Sequence, residues 1–143
     1  MMTPGTAAVL SMVLAVSLFP TGATAIEQAG TFQGEGVDFA VKYWAGGVGH
    51  SPEREAAEAS REYSVRVLFA SPDRALLANV GLTVTDAEGR DVFRILGAGP
   101  VILLALPKGA YAFEGSYHGA THRYPRVLVD PTRRRDVIFV FPE

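Results

Sequence analysis

From residue 63 onward, apolar side chains recur at every second position, the period of a strand with one buried face. Tyr63, Val65, Val67 and Phe69 alternate with Ser64, Arg66 and Leu68, and Val80, Leu82 and Val84 alternate with Gly81, Thr83 and Thr85. The sequence Asp86-Ala87-Glu88-Gly89 reads as a turn, after which Val92, Phe93 and Ile95 resume a strand. Residues 101–106 (VILLAL) are continuously apolar, the pattern of a strand covered on both faces. Pro107-Lys108-Gly109 predicts a turn in which glycine supplies a positive φ. Tyr111, Phe113 and Tyr117 alternate with Ala112, Glu114 and Ser116, His118-Gly119-Ala120 turns the chain, and residues 123–129 form a further strand. Pro125 marks that strand as a sheet edge, because proline cannot donate to a central ladder. Asp130-Pro131-Thr132 turns again, and Val137, Phe139 and Phe141 share one face of the last strand.

The predicted fold is therefore all-β, a seven-stranded antiparallel β-sandwich. Tyr63, Phe69, Phe93, Tyr111, Phe113, Phe139 and Phe141 are its expected core aromatics, each contributing about 2–3 kcal/mol when fully buried.

Ahead of the sandwich the periodicity is helical. Ser51-Pro52 predicts an N-cap followed by proline at the first helical position, with Glu53 and Glu55 near the positive end of the helix dipole. One short helix is expected over 51–62, with Ala56, Ala59 and Tyr63 as its apolar stripe and Glu58 and Glu62 facing outward. Residues 26–50 read as a flexible lead-in, with a short strand possible over 37–44, ending in a Gly-rich loop. That loop, Gly46-Gly47-Val48-Gly49, precedes His50-Ser51 with no lysine, and hairpins follow the helix instead of a crossover. Both the P-loop and the dinucleotide fingerprint fail on this context. The helix N-terminus remains a place where a carboxylate or phosphate could sit.

Residues 7–19 (AAVLSMVLAVSLF) form an apolar run followed by Ala23-Thr24-Ala25, an A-x-A cleavage pattern. The run is too short for a bilayer-spanning helix of about 20 residues. Residues 1–25 are therefore expected to be a signal peptide, although no basic residue precedes Lys42, and the mature chain would begin at Ile26. The expected organisation is signal peptide 1–25, lead-in 26–50, helix 51–62 and sandwich 63–143. The expected location is periplasmic or secreted, with no stable transmembrane anchor.

Across 143 residues the formal net charge is −2, so no global basic field invites nucleic acid. There is no cysteine, which excludes disulfides, thiolate metal sites and thiol catalysis.

The stretch Leu106-Pro107-Lys108-Gly109-Ala110-Tyr111 resembles the LPxGxY turn and strand of carboxypeptidase regulatory-like domains. Residues 80–89 (VGLTVTDAEG) and Gly99-Pro100 resemble the segments that precede it there. The GGVG loop, the helix and YSVRVLFA resemble a narrower group of small exported proteins of Gram-negative bacteria. The resemblance implies a transthyretin-like, or prealbumin-like, sandwich and says little about activity, since such folds host many functions. Two activities found among related sandwiches do not carry over. The chain ends Val140-Phe141-Pro142-Glu143 where the hydroxyisourate hydrolases end in a Tyr-Arg-Gly-Ser tail. Lys42, Lys108 and Asn79 are poorly placed for an isopeptide cross-link.

The candidate chemistry is sparse. His50, His118 and His122 lack zinc-site spacing, and no His-Glu-x-x-His motif is present. No cofactor, metal ligand or catalytic residue is assigned. The candidate partner-binding residues are Arg123 and Arg126, flanking Pro125, and the triplet Arg133, Arg134 and Arg135. The functional reading is a grip on an anionic partner. The competing reading is edge protection at Pro125 and a solvated turn diluted by Asp130 and Asp136. The expected function is a non-catalytic envelope module that binds a protein or glycan or adds structural support. The alternative is a small hydrolase or metal-binding protein using His118 and His122.

Overall fold

The computed structural model describes residues 27–47 and 51–142. The signal-peptide segment and His50 lie outside these residues. Among the described residues nine strands and one helix follow in the order β1 (Gln28–Phe32), β2 (Val41–Gly46), α1 (Pro52–Ala59), β3 (Val65–Ala70), β4 (Val80–Thr85), β5 (Asp91–Ala98), β6 (Val101–Ala105), β7 (Gly109–Tyr117), β8 (Ala120–Val129) and β9 (Arg135–Val140). They form two sheets, a five-stranded one ordered β1-β2-β6-β3-β9 and a four-stranded one ordered β5-β4-β7-β8. Among the described residues no helix is long and apolar enough to cross a membrane.

The period-two positions meet between the sheets. Val65, Val67 and Phe69 from β3, Leu82 and Val84 from β4, Phe113 from β7, and Phe139 from β9 are buried in one core. Phe69 stacks on Phe139 with ring centroids 5.1 Å apart, and Phe32 and Tyr43 meet Phe93 edge-on at 5.7 and 5.2 Å. β6 is covered on both faces, as its unbroken apolar run requires. Ile102 and Leu104 enter the main core, while Val101 and Leu103 join Trp44 and Tyr63 in a second cluster on the other face. Tyr63 thus packs in that second cluster and not in the main core with Val65 and Phe69.

The seven strands predicted from the alternation all form, as β3 to β9. The nine strands among the described residues exceed the predicted seven by two: β2 falls where a short strand was possible over 37–44, and residues 28–32, expected as a flexible lead-in, pair along it as β1. A two-residue-period signal is absent there, and neighbour pairing supplies what the local sequence lacks. The sandwich is also not wholly antiparallel: β3 and β9 pair in parallel, from Val65↔Arg135 to Ala70↔Val140. β9 arrives from the opposite sheet and enters beside β3 running the same way. Side-chain alternation carries no information on strand direction.

His118 (φ 50°) and Gly119 (φ 83°) close the β7–β8 hairpin with both central residues at positive φ, the two-residue geometry that suits strand twist. Gly109 does not have the positive φ expected of it. It opens β7 instead, where an added Cβ would stand 3.6 Å from the Tyr111 ring.

Helix α1 starts as predicted. The Ser51 side chain accepts from the Arg54 backbone N–H at 3.0 Å, and Pro52 follows it. A carboxylate does reach this end from within the chain, since the Ser51 hydroxyl donates to Glu27 Oε2 at 2.6 Å. The predicted stripe is on the wrong side, because Ala56 and Ala59 are exposed and Ala57 packs on the Trp44 cluster. Glu58 turns toward the sheet and pairs with Arg54 at 2.9 Å and Arg66 at 3.4 Å. The helix also stops at Ala59, three residues short of the expected end.

Candidate functional site

β8 and β9 are edge strands of different sheets, and they lie on the same open side of the sandwich. Their proximity is shown by the Tyr124 hydroxyl, which donates to the Ile138 carbonyl at 2.7 Å. β8 is an edge, as Pro125 predicts. Opposite Ala112 of β7 stand both Pro125 and Arg126, since the register steps from Phe113↔Tyr124 to Tyr111↔Val127. The extra residue makes a bulge, which absorbs a proline and bends the edge away from straight pairing.

Beyond β8 the chain crosses to the other sheet through residues 130–134. The Asp130 carboxylate organises this crossing by accepting from the Thr132 backbone N–H at 3.0 Å and its hydroxyl at 2.8 Å. The Arg133 N–H closes the turn on the Asp130 carbonyl at 3.0 Å. The hydrogen bonds from the Thr132 backbone and side chain, with the nearby charges of Lys108 and Arg133, hold the Asp130 carboxyl below its usual range. It is therefore ionised at neutral pH.

The crossing brings four of the five predicted arginines together. Arg126, Arg133, Arg134 and Arg135 line one open cleft of about 600 Å³, with Lys108 and Asp130 on the same walls. Five cations face one carboxylate, a formal charge of +4 in a chain whose net charge is −2. Arg123 lies outside this cleft and lines an adjoining hollow with Arg126, Thr85 and Asp86.

The five cations are not equivalent. Arg134 is half-buried and all three of its guanidinium nitrogens donate, to the carbonyls of Tyr63 (3.2 Å), Glu58 (2.7 Å) and Ser60 (2.6 Å). It fastens the end of α1 to the β9 entry and also lines the cleft. Lys108, Arg126, Arg133 and Arg135 are exposed, and among the described residues none of the four forms a side-chain hydrogen bond or ion pair within 4.0 Å. Such guanidiniums remain available as bidentate donors to an oxyanion.

No family model, curated protein or solved structure matches the chain. What the cleft can do follows from its own residues. Concentrated positive charge attracts an anion and raises its local concentration, and it does so less as salt rises.

The histidines do not converge on a comparable centre. His118 stacks on Tyr117 with centroids 4.1 Å apart at the hairpin tip, whereas His122 packs against Tyr124 at 4.9 Å and Phe139 at 5.9 Å. Among the described residues no group of three His, Asp or Glu side chains is placed to hold a metal ion.

Sequence reasoning missed Lys108. The signal was present in the hairpin, because counting back from His118-Gly119 pairs Gly109 with the end of β8. The observed partner is Val129, which places Lys108 beside Asp130.

Proposed function

We propose that this chain is an exported, non-catalytic module of the bacterial envelope that binds an anionic protein or glycan through the Lys108–Arg126–Arg133–Arg135 cleft. The observation that carries the reading is the formal +4 of that cleft within a net-negative chain, with four cations that form no side-chain hydrogen bond or ion pair among the described residues. Four exposed cations around one hollow whose lining holds a single carboxylate, Asp130, make a local field that attracts an external anion. Export is supported by the A-x-A pattern at Ala23 and Ala25 behind an apolar run. A transthyretin-like assignment within the sandwich class is supported by the LPKGAY stretch at the β6–β7 corner. The hydrolase alternative draws no support from the separate ring partners of His118 and His122.

Two measurements test this. N-terminal sequencing after cell fractionation should find a periplasmic or secreted chain beginning at Ile26, and an intact Met1 form in the cytoplasm would overturn the export half. Immobilised chain should retain polyglutamate or polygalacturonate over neutral dextran, with retention lost on adding salt. Equal retention of all three polymers would overturn the binding half.

A further inference from the structure

The cations of the cleft come from three separate elements. Lys108 sits in the β6–β7 corner, Arg126 at the β8 bulge, and Arg133 and Arg135 at the entry to β9. All four line the hollow. A carboxylate offers one negative charge and two coplanar oxygens, a match for a single guanidinium fork. A phosphate ester offers close to two charges and three strong acceptor oxygens directed tetrahedrally. The surplus charge of the cleft and the spread of its donors over three elements both fit the second better. Arg134 adds charge, while three of its five N–H donors go to the carbonyls of Tyr63, Glu58 and Ser60. Asp130 offsets one of the five cations while its hydrogen bonds go to Thr132, so the cleft keeps a formal charge of +4.

The same walls carry apolar surface. Leu128 is 54 % exposed and lines the cleft with Ala110 and Val129. The volume of about 600 Å³ falls in the range of small-molecule sites and exceeds what a free inorganic phosphate fills. We infer that the cleft recognises a phosphate ester borne on an organic body, with Lys108, Arg126, Arg133 and Arg135 on the phosphate and Leu128 against the body. This inference rests on the cleft being the binding surface proposed above. The ester has two possible sources, a soluble sugar phosphate or a phospholipid headgroup.

The test uses the full chain and matched probes. Calorimetry compares glucose 1-phosphate with glucuronate and glucose, and sedimentation compares phosphatidylcholine vesicles with and without phosphatidic acid. The expected result is at least about tenfold preference for a phosphate probe over its uncharged or carboxylate counterpart, a difference that corresponds to one decade in Kd. Binding to glucose 1-phosphate assigns a soluble source, and binding to phosphatidic acid vesicles alone assigns a headgroup. The double variant R126Q/R133Q should lose about tenfold or more of that affinity. R94Q, which removes the same kind of charge on β5 at the far edge of the sheet, should not. Should the double variant fail to fold, the single variants R126Q and R133Q replace it, each expected to weaken binding of the preferred phosphate probe where R94Q does not. Glucuronate binding as tightly as glucose 1-phosphate, without preference for phosphatidic acid, overturns this inference and leaves the proposed function standing. Binding of none of the charged probes, polyglutamate and polygalacturonate included, overturns both.

Discussion

The Tyr111 hydroxyl donates to the carbonyl of Pro107, four residues back, at 2.8 Å. The bond ties the start of β7 to the corner that leaves β6, and it recurs as a corner device in sandwich folds. Gly109 lies between the two without a positive φ, and a Cβ there would make only ordinary contact with the ring. Tyr111→Phe keeps the buried ring and removes only this bond. Because Pro107 is exposed, water can replace the lost donor, so the cost should be about 1 kcal/mol. Thermal unfolding should show Tm lowered by about 4 °C. An unchanged Tm would mean that the corner is held by packing alone.

The same residue makes the fold sensitive to alkali. Burial, and secondarily the charge of Asp86, push the Tyr111 phenol above its usual value of 10.0. Burial does the same for Tyr63, partly opposed by Lys42. A pKa raised in the folded state means that the fold prefers the neutral phenol. That contribution is complete below about pH 10, the unfolded value, and is lost as pH rises through the folded pKa. Urea midpoints should therefore hold from neutral pH to about pH 10 and fall beyond it, and Tyr111→Phe should flatten the fall. An equally steep fall in the variant would remove Tyr111 as a cause.

Much of the fold was legible because it depends on period. The alternation at Val65, Val67 and Phe69 or at Val80, Leu82 and Val84 names the buried face directly, and the unbroken run at Val101 to Leu104 names a strand covered twice. What could not be read depends on neighbours distant in sequence. The parallel entry of β9 beside β3 leaves no trace in alternation, and β1 is a strand only because β2 lies next to it. The cleft was half legible. A run of three arginines is visible as charge, but nothing local shows that Arg134 reaches Glu58 and Ser60 while its neighbours stay free.

Gly115 tests the closeness of the sheets. It is buried in β7 on the inner face, and a Cβ there would stand 2.8 Å from Phe69 Cε2 and 2.9 Å from Phe139 Cδ1. Both rings are fully buried and stacked on each other, so neither can swing away. Gly115→Ala should destabilise by about 2 kcal/mol through overpacking. Gly89→Ala offers a contrast, since it meets open space and carries only the strain of φ 84°, about 1 kcal/mol. Adding Phe139→Leu to Gly115→Ala should recover part of the loss, a coupling that two independent defects would not show. Strict additivity in denaturant titrations would contradict the packing described.

The arginine triplet gives the sharpest contrast within three consecutive residues. Arg134 donates to the carbonyls of Glu58, Ser60 and Tyr63, at and just past the C-terminal end of α1. That end has orphan carbonyls and a negative partial charge, and a cation satisfies both. α1 has eight residues, too few to persist alone, so its helicity depends on what fastens it. Arg134→Met preserves the stem and removes the donors, and it should cost about 2–3 kcal/mol, the worth of hydrogen bonds to a charged group. Arg133→Gln and Arg135→Gln remove exposed charges and should each stay within about 0.5 kcal/mol. The single tryptophan reports the mechanism. Trp44 is 6 % exposed in the cluster that Ala57 of α1 covers, so loosening the helix admits water to the indole. In Arg134→Met the emission should shift to longer wavelength at denaturant concentrations where circular dichroism still reports intact strands. Coincident transitions by the two probes would show that Arg134 stabilises the sandwich as a whole and does not specifically fasten the helix.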